Sequence, residues 1–468
     1  MKVFEQQLER QRKWRLRPRF QQSKIFDELL ANEFFSSNKF QSLLTSRALD
    51  FLSFAVTATP YYQQRAQQYN IARKGFSLKS LESLPILDRS SVQQYKDDLI
   101  ATILPPGVSV GGYLKTSGST GQPVKVLHSS ASLQLFSLLK QREYRCWGID
   151  PTKSLMSIRP AVDLPKNNGE LLANNQLMQA DNWLNIGAYF ETGKSYFLPD
   201  TTEIESIAER LNQVKPGYLL CMAAVLEHIG ICFSHTENRS GLLGALSISQ
   251  QLTAGMRSLA EKYVTADVYQ NYGLNEIGLV AMRCPESGYY HVHNECALIE
   301  IVDNNGLQCE PGQSGKLLVT SIGNHAMPLI RYDTDDLAEL PLEPCPCGRT
   351  MQAFTNIRGR YRRTAHLPAG TWDYWAKLLD IFADATEQEM RTMQQYQLHQ
   401  VDEMTYRLNV KTQGQFASAL KQKIYATWAS GVGNDKPASI TIVELTEIVS
   451  VGKKFQNFVS DIVPDENN

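Results

Sequence analysis

The chain has 468 residues with 47 Lys and Arg against 48 Asp and Glu, and this near-neutral balance excludes the broad basic surface that general nucleic-acid or membrane binding requires. Its length demands two or three cores rather than one, and 43% hydrophobic residues is normal for a globular protein. Eight scattered cysteines with no export signal point to a reducing compartment, the cytoplasm, and away from a disulfide framework.

Residues 1–75 are rich in Gln, Leu, Phe and Arg at helical spacing, with Pro18 the one proline before Pro60, which predicts several helices. The basic cluster Lys2, Arg10, Arg12, Lys13, Arg15, Arg17 and Arg19 reads as a solvated helix face. Short strands at Gly112–Leu114 and Val124–Leu127 then flank the loop Thr116-Ser117-Gly118-Ser119-Thr120-Gly121. Glycines admit close backbone approach, and successive N–H groups with added hydroxyls make a donor-lined concavity suited to phosphate oxygens, pointing to a nucleotide triphosphate. No Gly-Lys-Ser/Thr follows, so this is not the common P-loop; the alternative is a flexible surface loop.

Ser130–Trp147 returns to helical spacing. From 195 to 280 short apolar strands alternate with helices such as Glu203–Val214, which predicts an α/β region. The apolar run Leu219–Phe233, broken by Glu227 and His228, is too short to span a bilayer and reads as a buried helix. Strand signals dominate 290–345: Ala297–Val302, an Asp303–Gly306 turn, then Gly315–Thr320. After Arg360 the remainder is the size of a small α+β domain, with a helix over Trp372–Asp384 and a strand over Tyr406–Lys411.

Cys284 and His291 lie seven apart, and Cys345-Pro346-Cys347 follows in a Gly/Pro turn. Three thiolates and one imidazole suit tetrahedral Zn²⁺ in a structural role, since four protein ligands leave no open position. His293 could replace His291, and the alternative is buried free thiols beside an unligated histidine.

Four ordered stretches carry a resemblance: the hydroxyl loop, Tyr269–Glu276, Leu329–Asp336 and Ile357–Arg360. Together they resemble the core motifs of the adenylate-forming enzymes, the acyl-CoA synthetase superfamily. Ala58–Tyr62, Leu84–Leu87, Asn324–Tyr332 and Cys345–Arg349 look like its phenylacetate–CoA ligase and CapK-like branch, some members of which hold a zinc at such a cluster. The resemblance implies an α/β fold: a large N-terminal adenylation domain over 1–360 with mixed sheets and flanking helices, and a small mobile α+β domain over 361–468.

It implies ATP-dependent activation of a carboxylic acid, aryl or arylacetic, to an acyl-adenylate, then transfer to coenzyme A. By motif position, Glu276 would hold Mg²⁺, Tyr272 and Gly273 would lie against adenine, and Asp336 and Arg360 would bind the ribose. Lys454, or Lys453 beside it, would reach the α-phosphate from the small domain. The chain departs from the family at Asp335, where Gly is usual, and at the basic hinge Tyr361-Arg362-Arg363. A further departure is Gln250-Gln251, where Gly-Glu is frequent. Two alternatives therefore stand: transfer to a carrier-protein phosphopantetheine or an amine, and a ligase-fold scaffold without catalysis. The expected partners are small molecules, with neither nucleic acid nor membrane insertion; such a chain can also form a homodimer.

Overall fold

The computed structural model describes residues 14–21, 25–68, 79–82, 84–115, 124–235, 241–303 and 305–358. Beyond these it describes 365–367, 370–372, 378, 381–382, 385–390, 392–402, 404–412, 414–430, 438–446, 448 and 458–461. They fall into two compact units, one of residues 1–150, 184–191 and 271–361, the other of 151–183, 192–270 and 362–468.

In the first unit the helix Ser37–Ala58 buries Phe40, Leu44, Ala48, Phe51, Leu52 and Ala55, a stripe at three- and four-residue spacing. Thr59 leaves the helix in an extended conformation before Pro60 opens the next one, as a pre-proline residue must. An antiparallel hairpin pairs Val110–Lys115 with Lys125–Ser129, matching the two strands expected around the hydroxyl loop. Ser129 then caps the helix Ser130–Cys146 by accepting from the Ser132 amide. The unit's sheet is antiparallel throughout, in the order Leu298–Val302, Ser314–Thr320, Tyr332–Glu339, Ala353–Arg358, Tyr290–Val292, Gly278–Arg283 and the end of Val268–Leu274.

The second unit holds the expected α/β alternation. Ser195–Pro199, Leu155–Arg159, Tyr218–Met222, Gly244–Ile248 and the start of Val268–Leu274 run parallel, with Met178–Ala180 antiparallel at the edge. The run expected as one buried helix is instead a strand, Tyr218–Met222, followed by a helix, Ala223–Ser234. A parallel strand buried on both faces is apolar throughout, so periodicity cannot separate it from the helix that follows. Gln250 Oε1 accepts the Ala224 amide at 3.0 Å, serving the start of a helix whose N-cap, Met222, has no polar side chain.

The smaller C-terminal sheet orders Ser439–Leu445, Thr405–Thr412, Met393–Asp402 and Phe458–Ser460, with the helix Ser418–Ser430. Trp372, expected to open a helix, pairs with Ala365 in a hairpin instead, and the described helical residues begin at Leu378. Thr371 and Trp372 suit a pleated edge better than a helix start. No described helix is long and apolar enough to cross a membrane.

Candidate functional site

The strand Val268–Leu274 and the turn after it carry the aromatic–glycine–carboxylate motif. A Cβ on Gly273 would lie 3.0 Å from the Gly278 carbonyl, so a larger residue there would make the turn give by a few tenths of an ångström. Tyr272 donates its hydroxyl to Asp336 Oδ2 at 2.6 Å, and burial first, then the Asp336 charge, raises the phenol above its ordinary range. Its ring meets Phe354 edge-on at 5.6 Å.

Asp336 owes its direction to a bulge. Across from Ser314–Thr320 the register slips between Lys316 and Leu318, and Thr334, Asp335 and Asp336 stand opposite Leu317 alone. Asp335 turns through φ 62°, its amide donating to Asp333 Oδ1 at 2.9 Å.

Glu276 is buried, accepting from the Tyr332 hydroxyl at 3.0 Å on Oε1, with Arg89 Nη1 3.9 Å from the same oxygen. Burial, then the Glu276 charge, raises the Tyr332 pKa, so the hydroxyl stays a donor. Asn275 joins this motif to the root of the hydroxyl loop. Its Nδ2 donates to the Lys115 carbonyl at 3.0 Å, and its own carbonyl accepts from His128 Nε2 at 3.1 Å. A carbonyl can only accept, so the proton sits on Nε2; burial lowers the His128 pKa and keeps the ring neutral. Lys115 and Lys125 face each other as the last pair before the loop, which therefore leaves its hairpin beside Asn275.

Arg331 explains why the other motifs accompany this site. Fully buried at φ 53°, it donates to the Glu82, Leu84 and Gly306 carbonyls at 3.1, 2.9 and 2.8 Å and pairs with Glu300 at 3.1 Å. Leu87 donates its amide to the Arg331 carbonyl and accepts from the Asp333 amide, both at 3.0 Å. These bonds hold Leu84–Leu87 against Tyr332 and deliver Arg89 to Glu276. Tyr62 likewise bonds Pro328 and Ile330, and Asn324 clamps the strand Lys125–Ser129 through Leu127 and Ser129.

Cys284, His291, Cys345 and Cys347 converge with all four ligand atoms within 4.8 Å of one another. Cys345 and Cys284 sulfurs are 3.7 Å apart, and Cys347 Sγ lies 3.3 Å from His291 Nε2. Thiolates about 2.3 Å from a tetrahedral zinc stand about 3.8 Å apart, so the donor set and spacing fit that ion. Hydrogen bonding from Cys347 first, then from His291, drives the Cys284 pKa far below the thiol range, while Cys347 rises in exchange. His293 lies elsewhere: buried, it bonds Glu143 Oε1 at 3.3 Å.

Sequence reasoning missed the ionic cluster around that residue. Glu143 accepts from Asn271 at 2.9 and 3.1 Å and from Lys140 at 3.0 Å. Arg142 forks onto Glu295 at 2.7 and 2.8 Å and lies 3.3 Å from Glu33, which Arg349 also holds at 2.7 Å. Only the Lys140/Glu143 spacing hinted at this, because the partners lie more than a hundred residues apart in sequence. Arg89 and Tyr332 were missed as well: Tyr332 stood in a recognised motif without an assigned role, and Arg89 lies two residues beyond Leu84–Leu87. The loop Thr116–Gly121, Arg360, Lys453 and Lys454 lie outside the described residues.

No family model matches the chain. A phenylacetate-coenzyme A ligase of Thermus thermophilus is 24% identical over 328 residues, 69% of this chain and 70% of that one. The Escherichia coli phenylacetate-coenzyme A ligase is 26% identical over 333 residues, covering 69% and 72%. A crystal structure of 2-hydroxyisobutyryl-CoA ligase in the postadenylation state superposes with a TM-score of 0.70 at 15% identity, over 92% of this chain and 91% of that one.

Proposed function

We infer that this chain, which belongs to the phenylacetate–coenzyme A ligase-like branch of the adenylate-forming superfamily, activates a carboxylic acid with ATP and passes the acyl group to coenzyme A. The observation that carries this reading is the pair of hydrogen bonds made by Asn275, which donates to the Lys115 carbonyl and accepts from His128: it ties the root of the phosphate-type loop to the residue next to Glu276.

In the first step a carboxylate oxygen attacks the α-phosphorus of ATP, the bond to the bridging oxygen breaks, and pyrophosphate leaves with that electron pair. Asp336 would accept from the ribose hydroxyls, and the hydroxyl of Tyr272 supports that carboxylate from behind. Glu276 offers the hard oxygen donor that Mg²⁺ requires, pre-aimed by Tyr332. When bound, that ion neutralises charge between the phosphates and the approaching acid. The loop Thr116–Gly121 would donate to the outer phosphates, and Lys454 on a small domain of 361–468 would meet charge building at the α-phosphorus. In the second step the thiol of coenzyme A attacks the acyl carbonyl and AMP departs.

The aryl or arylacetic class of acid follows from the relatives alone. A structural zinc at Cys284, His291, Cys345 and Cys347 and a cytoplasmic address complete the reading. The test is pyrophosphate release over aryl, arylacetic and fatty acids, with and without coenzyme A. Coenzyme A-dependent turnover on one class supports the reading, exchange indifferent to coenzyme A shifts the acceptor to a carrier thiol or an amine, and no exchange with any acid overturns it. Glu276→Gln is expected to slow ATP–pyrophosphate exchange about 100-fold, the scale of losing one preorganised charged contact.

A further inference from the structure

We propose that Glu143 is a positioning residue of this site: through Asn271 and His293 it braces the bulge beside Tyr272, and so fixes where the Tyr272 hydroxyl meets Asp336. The proposal rests on the ligase reading above, in which Asp336 accepts from the ribose hydroxyls, and extends it to a buried cluster with no assigned role.

Three observations carry it. The first is an irregularity in the sheet. Between Val268–Leu274 and Gly278–Arg283 the register shifts at Tyr272, which stands opposite Ala281 while Gly273 stands opposite Leu279. Val280 is therefore the extra residue of a bulge. Asp336 comes from a bulge of its own, so neither member of the Tyr272–Asp336 pair is placed by a regular ladder. The second is the brace. Asn271 Nδ2 donates to Glu143 at 2.9 and 3.1 Å, which holds one strand just before the bulge. His293 donates its backbone amide to the Val280 carbonyl at 2.8 Å and its Nε2 to Glu143 Oε1 at 3.3 Å, which holds the other strand at the bulge itself. Successive strand residues alternate faces, so Glu143 grips the face opposite the one on which Tyr272 meets Asp336. The third is charge. Burial raises the Glu143 pKa, but the Lys140 ammonium and the bonds from His293 and Asn271 outweigh burial and hold it below the ordinary carboxylate range. A charged acceptor makes the shorter, stronger bonds that a rigid brace needs.

A strand free to shift at its bulge would let the Tyr272 hydroxyl drift, and a hydrogen bond weakens steeply as its angle opens. Asp336 would then lose the donor that supports it, and its grip on two neighbouring hydroxyls would loosen. The loss falls on the ribose hydroxyls and not on the nucleotide as a whole.

The experiment measures Kd by titration calorimetry on the full chain with Mg²⁺, for ATP and for 2′,3′-dideoxy-ATP, which lacks the ribose hydroxyls. Wild type is expected to favour ATP about tenfold or more, the scale of hydrogen bonds to a charged group. Asn271→Leu and His293→Phe each delete one arm of the brace and leave Glu143 its Lys140 partner. Each should cut that preference by about threefold or more, by weakening ATP alone. His293→Gln, which restores a donor toward Glu143, should keep the preference within about twofold of wild type. Thermal melting checks folding; if either deletion does not fold, the other decides by the same comparison, and Asn271→Ser stands in for both. Equal weakening of the two nucleotides, or an unchanged preference in folded variants, overturns the proposal. A wild type that binds both alike removes the ribose role of Asp336 and the brace with it, while ATP use stands. If wild type binds neither nucleotide, the ligase reading fails; if it prefers ATP and the folded variants keep that preference, only the role of Glu143 falls.

Discussion

Asp335 adopts φ 62°, in the left-handed region that costs an ordinary side chain about 1–2 kcal/mol. Aspartate is among the few non-glycine residues that visit this region, and here the Asp335 amide donates to Asp333 Oδ1. Asp335→Gly is expected to leave the melting temperature within a few degrees, since relief of strain is offset by greater unfolded-chain freedom. It should tighten ATP binding by about two- to fivefold through loss of one negative charge. Asp335→Val, which adds β-branching at a positive φ, is expected to destabilise by roughly 1–3 kcal/mol in chemical denaturation. Equal stability of the glycine and valine variants would refute the backbone argument.

Adjacent strands couple the cysteine cluster to the aromatic–glycine–carboxylate motif. Asn271 stands opposite Met282, and Met282 stands opposite His291, so one lateral row of the sheet carries a motif residue at one end and a cluster ligand at the other. Cys345 and Cys347 precede Ala353–Arg358, whose Phe354 packs on both Tyr290 and Tyr272. Elemental analysis is expected to find stoichiometric zinc, and Cys284→Ser should reduce it and lower the melting temperature by on the order of 5 °C. A metal-free protein in which the three cluster thiols titrate freely and stability is unchanged would establish the free-thiol alternative.

The helix Ser130–Cys146 supplies the ionic cluster, and its pH behaviour follows from Glu295. Burial pushes that carboxyl up, but the Arg142 charge and its forked bonds outweigh burial and bring the pKa down to about 2. A depressed carboxylate contributes stability above its unfolded value of about 4.3, and that contribution is lost as pH falls toward the folded value. Stability should therefore drop by roughly 2 kcal/mol between pH 4.5 and 2 from this group alone, with the remainder lost below pH 2. Arg142→Met is expected to cost roughly 3–5 kcal/mol at neutral pH, because it strands buried carboxylates.

On the scale of the whole molecule, the buried acids Glu295 of the first unit and Glu227 of the second behave oppositely. In the second unit the same buried cluster contains Leu226, Ile229 and Phe233 of one helix and Phe382, Tyr396 and Leu398 of the C-terminal region. Glu227 is enclosed there and bonded by the Tyr396 hydroxyl, and burial raises its pKa to about 8. A raised carboxyl contributes stability below its unfolded pKa and loses it as pH climbs through the folded value. Glu227→Gln should accordingly leave acid stability unchanged and raise stability near pH 8.5 by roughly 2–4 kcal/mol. A denaturation series at pH 5 and 8.5 checks both arms; parallel curves for wild type and variant would show that the carboxyl does not hold its proton.

Local composition and order were enough to read the α/β class, the loop-flanking strands and the helix Ser130–Cys146, because each rests on spacing within a few residues, and residue type singled out the cysteines and histidine that the fold brings together. Which histidine joins the cluster, why Arg331 and Tyr62 recur beside the motif strands, and that Arg89 and Tyr332 address Glu276 were decided only by folding. Those contacts join residues tens to hundreds of positions apart, and buried charge can be recognised only once its counter-charge is brought to it. The apolar run at 219–233 divides for the same reason: whether it continues as helix depends on the parallel strands beside it, which local periodicity does not contain.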